Sequence, residues 1–79
     1  MLSEEQRRAY DSAIDDLIGK ARQNLARART RQLSRQQQDI AARVETFIVQ
    51  ARDVRKHDPA AARSLAERAE LLSRELAGP

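Results

Sequence analysis

Only Gly19 and Pro59 interrupt the chain before its last two residues, Gly78 and Pro79. Sheets need tight turns, and tight turns draw on glycine, proline and a few small polar residues, so a chain with this little turn chemistry must fold through helices. Two Ser-x-x-Gln segments and one Asp-Pro pair mark where those helices begin. Ser3 with Gln6 forms a capping box, and Glu4 and Glu5 sit at the positive end of the helix dipole. Tyr10, Ile14, Leu17, Ile18, Ala21, Leu25 and Ala28 then recur every three or four positions, an arc of roughly 100° on one face of a helix.

Ser34 with Gln37 repeats the box and opens a second stripe of Ile40, Val44, Phe47, Ile48, Ala51 and Val54. Continued as one helix, this stripe would be rotated by roughly 100° from the first, more than the ~20° per heptad of a straight helix allows. A turn near Gln32 to Ser34 resolves the mismatch. The alternative is a single rod from Ser3 to His57, roughly 80 Å long at about 1.5 Å per residue. In "KHDPAAARSL" Asp58 takes the cap position and Pro59 the first helical one, which ends the second helix by His57. The third carries Ala62, Leu65, Ala66, Ala69, Leu72 and Leu76 on one face, with Gly78 as its stop. The expectation is an all-α domain over residues 1–79, three antiparallel helices in an up-down-up arrangement. Their expected spans are 4–32, 35–57 and 59–77.

With 79 residues, of which 41% are apolar and nearly half of those alanine, the core is small. There is no cysteine to add a disulfide or a thiolate metal site, so dimerisation is the expected supplement. Helix contact is assigned to Ile14, Leu17, Ile18, Leu25, Val44, Phe47, Ile48, Leu65 and Leu72. If Phe47 is central, truncating it to Ala should cost about 3 to 5 kcal/mol. Val49 and Leu71 fall far from their stripes and would supply an outer apolar surface.

The segment from Thr46 to Leu76, "TFIVQARDVRKHDPAAARSLAERAELLSREL", resembles a tetratricopeptide-repeat helical hairpin in the small Ala51, the tight turn, and Ala62 and Ala69 on the second helix. It departs from that family at Ala66, where a bulky aromatic is usual, and at Arg74, where proline is usual. The resemblance implies a role in binding other proteins.

The stretch from Leu25 to Gln38, "LARARTRQLSRQQQ", holds four arginines and no acid. A phosphate-tracking helix gathers its cations on one exposed face. Here Arg22 and Arg29 flank the apolar stripe on one side and Lys20, Arg27 and Arg31 on the other, as in a packed helix whose alkyl stems cover apolar edges. Asp39, Glu70 and Glu75 are expected at the same end of the bundle as partners. No aromatic residue offers base stacking in this stretch.

No apolar run approaches the roughly 20 residues that span a bilayer, and Leu-Ser-Glu-Glu after Met1 is no signal peptide, which makes a cytoplasmic location the default. His57 is the one histidine, with only Asp53 and Asp58 near it, so it reads as a polar residue at a helix end and not as a metal ligand. Ser64 and Ser73 lack a general base at fixed spacing, and Asp15 and Asp16 lack a pocket, so neither catalysis nor a cofactor is expected. The leading expectation is a non-catalytic module that self-associates through apolar helix faces, a homodimer with another helical protein as the other candidate partner. The alternative is nucleic-acid contact through Arg22, Arg27, Arg29, Arg31 and Arg35.

Overall fold

A computed structural model describes residues 2–77 and contains three helices: α1 (Glu4–Ala28), α2 (Arg35–Val54) and α3 (Pro59–Ala77). Both capping boxes form. The Gln6 amide donates to Ser3 Oγ at 3.1 Å while the Ser3 amide donates to Gln6 Oε1 at 2.9 Å. The same pair of distances recurs between Ser34 and Gln37. Asp58 Oδ1 accepts from the Ala61 amide at 3.1 Å, and Pro59 opens α3 where a missing N–H leaves nothing unpaired. Gly78 lies outside the described residues.

Two helices stop earlier than their periodicity suggests. α1 ends at Ala28, short of Gln32, because its last turn tightens: Thr30 and Arg31 donate their amides three residues back, to Arg27 and Ala28, and the Thr30 hydroxyl also donates to the Arg27 carbonyl at 2.6 Å. α2 ends at Val54, short of His57, because the Val54 carbonyl accepts from both His57 and Asp58 as the chain bends toward Pro59. His57 is exposed in that turn. The rod is excluded, since the longest extent of the Cα trace is 45 Å.

α1 and α3 run parallel with α2 antiparallel to both, the up-down-up order. Asn24 reaches Ser73 near the C-terminal ends of α1 and α3, whereas Arg55 after α2 reaches Asp11 and Asp15 in the first half of α1. Each helix buries a seam of alternating four- and three-residue spacing: Ile14, Ile18, Ala21, Leu25 and Ala28 on α1; Ala41, Val44, Ile48 and Ala51 on α2; Ala62, Ala66, Ala69, Ser73 and Leu76 on α3. That spacing is the signature of left-handed bundle packing.

The seam is narrower than the apolar stripes suggest. Leu17, Phe47, Leu65 and Leu72 are half-buried flanks packed against it, so Phe47 is not the central residue, and its truncation should cost less than the loss of a fully buried chain of similar bulk. The helices do not share contact equally. α3 packs along both α1 and α2, while α1 and α2 meet only sparsely. The reason is in the residues: α3 presents Ala62, Ala66, Ala69 and Ser73, all fully buried, and such short side chains let two neighbours come close to one helix at once.

Enlarging that seam tests this. Ala66→Leu has no room and should cost about 1 to 3 kcal/mol, read as a drop in melting temperature of roughly 4 to 8 °C per kcal/mol for a domain of this size. Gly19 is the opposite case. It sits inside α1, exposed, and a Cβ added there would meet nothing within 4 Å. Gly19→Ala should therefore raise monomer stability by about 0.5 to 1 kcal/mol in urea denaturation.

Candidate association surface

The sparse α1–α2 contact leaves an open groove between these helices on the side away from α3. Its volume is about 510 Å³. Leu25 and Ala26 of α1 and Ile48 and Val49 of α2 form its apolar floor, and Arg22, Arg29, Glu45 and Arg52 form its rim. Val49 is 56% exposed although it is aliphatic. A second, shallower groove of about 420 Å³ lies between α2 and α3, where Phe47, Leu71 and Leu72 are bordered by Arg43, Arg68 and Glu75. Leu71 is 57% exposed.

Ion pairs hold the first groove at both ends. Arg29 donates to Glu45 Oε1 at 2.8 Å, each side chain about half exposed. At the other end Arg55 is a clasp: Nε donates to Asp11 Oδ1 at 3.0 Å, and Nη2 to the Asp11 carbonyl and to Asp15 Oδ1, both at 2.8 Å. These acids raise the Arg55 pKa above its ordinary value, the hydrogen bond with Asp15 most of all, against a smaller opposing effect of burial and with further help from Asp11. The two carboxylates thus favour the charged guanidinium.

The cations of the basic segment do not act as a set. Arg22 and Arg29 reach the groove rim. Arg31 turns the other way and donates to the Leu76 carbonyl at the end of α3. Arg27 and Arg35 make no ion pair among the described residues. The acids differ from those expected as partners: Glu45 takes Arg29 and Glu70 takes Arg74 of its own helix, while Asp39 and Glu75 make no ion pair among the described residues. The cause is the position of α3, which turns Glu70 inward, where its side chain is only 7% exposed. Its Oε1 accepts from Arg74, and Oε2 is buried without a partner.

Of the residues assigned to helix contact, Ile14, Ile18, Leu25, Val44 and Ile48 are buried. Leu25 and Ile48 also reach the first groove, and Phe47 and Leu72 the second. Three polar contacts escaped the apolar pattern. Asn24 Nδ2 donates to the buried Ser73 Oγ at 3.0 Å, and that hydroxyl donates to the Glu70 carbonyl at 2.7 Å. Arg55 is the third. Ser73 and Arg55 each fall four residues beyond a buried alanine, Ala69 and Ala51, so strict seam spacing marks both. No group of three or more His, Cys, Asp or Glu side chains that could hold a metal occurs among the described residues. None of the described helices is long and apolar enough to cross a membrane.

No family model matches this chain, and neither a curated protein nor a solved structure matches it.

The two kinds of ion pair should separate on mutation. Arg55→Ala unpairs two acids and a carbonyl and should cost about 1 to 2 kcal/mol, discounted for partial exposure. Arg29→Ala should cost at most about 0.5 kcal/mol. Urea melts at low and high salt measure both.

Proposed function

We propose that this chain is a non-catalytic helical association module, working as a homodimer through the outer faces of its helices. The observation that carries the reading is the α1–α2 groove, with an apolar floor ending in the exposed Val49. Isolated exposed aliphatic residues are ordinary on any surface. Val49, however, stands at the edge of a groove floored by the buried Leu25 and Ile48, and a partner helix laid along that groove would cover it. The alanine-rich core gives a further reason, because a lone domain of this size gains little from burial and a partner adds to it. The resemblance of residues 46–76 to a tetratricopeptide-repeat hairpin points the same way, towards protein partners.

Nucleic-acid contact through Arg22, Arg27, Arg29, Arg31 and Arg35 has weaker support, since Arg29 and Arg31 already hold partners within the fold and turn in different directions. It makes a different prediction: retardation of duplex or single-stranded DNA at low salt, fading steeply as salt rises. The expected result is no retardation at low salt.

The leading reading is tested by mass in solution. Light scattering over a dilution series should show twice the monomer mass at high concentration, falling towards the 9.0 kDa monomer on dilution. Val49→Asp should give the monomer mass throughout, with helical circular dichroism unchanged.

A further inference from the structure

We infer that the second copy docks antiparallel, α2 against α2, about a two-fold axis passing beside Val49. This rests on the self-association reading and adds to it the face and the orientation.

The argument is one of self-complementary charge. An isologous interface must match its own surface after a half-turn. On the outer face of α2, Ala42 and Val49 lie seven residues apart on the centre line, which Lys56 extends in the turn just past the helix end, with Glu45 and Arg52 on the flank nearer α1 and Thr46 and Asp53 on the other. A half-turn that makes two facing helices antiparallel leaves each flank beside its own counterpart. Glu45 lies about 6 Å along the helix on one side of Val49 and Arg52 about 4.5 Å on the other, at about 1.5 Å per residue. Arg52 therefore comes level with Glu45 of the second copy, twice over by symmetry. Asp53 meets Thr46 and not an acid, and the alkyl stem of Lys56 covers Ala42.

The groups needed are unspent within the monomer. Arg52 and Arg22 line the groove with no ion pair among the described residues. Glu45 gives only Oε1 to Arg29, which leaves Oε2 for an incoming guanidinium. The parallel alternative would turn Glu45 toward Thr46 and Arg52 toward Asp53, but it would also set Lys56 against Lys56 of the second copy on the centre line, like charge against like. Antiparallel docking avoids that contact and sets the basic end, Lys20 to Arg35, beside the half of α1 that carries Asp11, Asp15 and Asp16.

The chain has no cysteine, so introduced ones report the geometry without background. On oxidation, Val49→Cys should crosslink to a covalent dimer and Leu71→Cys should not. An equimolar mixture of Ala42→Cys and Lys56→Cys chains should give the mixed dimer, while Ala42→Cys alone stays uncrosslinked. Arg52→Glu should weaken dimerisation at least tenfold, and Glu45→Arg in the same chain should restore it. If the swapped chain fails to fold, the cysteine mixture still decides.

Crosslinking of Ala42→Cys to itself overturns the inference in favour of parallel docking. A concentration-dependent dimer that crosslinks through Leu71→Cys and not Val49→Cys overturns it while leaving self-association standing. A monomer at every concentration overturns both.

Discussion

Everything in this fold depends on how close α3 can come to two neighbours at once. Ala62, Ala66, Ala69 and Ser73 are fully buried along one line, and their short side chains let α1 and α2 both pack on the same helix. A larger side chain at Ala66 would hold at least one of them away. The same closeness has a geometric consequence. Helices drawn to a shared third member need not meet each other, and α1 and α2 splay to leave the groove floored by Leu25, Ile48 and Val49. The feature that makes the core compact also creates the surface that the core does not cover.

Alanine seams gain little from burial and specify register weakly, because one alanine resembles the next. Polar contacts supply what the seam lacks. Asn24 bonded to Ser73 fixes α1 against α3 at one level, and Arg31 on the Leu76 carbonyl fixes it again near the end. At the opposite end the Arg63 guanidinium lies 6.0 Å from the Tyr10 ring centroid. Arg55 clasps α2 to α1, where apolar packing is thinnest. Glu70 shows the other side of polar burial. One carboxylate oxygen is paired, within α3 itself, and the other is enclosed without a donor, an arrangement that costs stability.

Helix starts were legible in the sequence because each has a local chemical cause: two capping boxes and an Asp-Pro step, all formed as read. Helix ends were less so, since Thr30 and the Val54 carbonyl act through local i+3 and i+4 bonds that leave no apolar signal. The core was legible at its bulky members, Ile14, Ile18, Val44 and Ile48. Its alanines were harder. Ala41 is buried and Ala42 exposed, and nothing but strict four-three spacing tells them apart. The groove could not be read at all, because it follows from the unequal spacing of three helices. That depends on which helix carries the short side chains throughout its seam.

The outer faces of α1 and α2 carry the same device. Asp15, Gly19 and Arg22 on α1 match Glu45, Val49 and Arg52 on α2, acid, small or apolar residue and arginine at the same spacing. By pattern alone, either face can pair with itself. Within the monomer, however, Asp15 is already held by Arg55, so the α1 pattern has lost its acid to the fold. Glu45 shares only one oxygen, and Arg52 is unpaired among the described residues. Gly19 adds no apolar surface, whereas Val49 does. The intramolecular clasp thus decides between two equivalent faces, leaving α2 as the one with charge and apolar surface to offer a second copy.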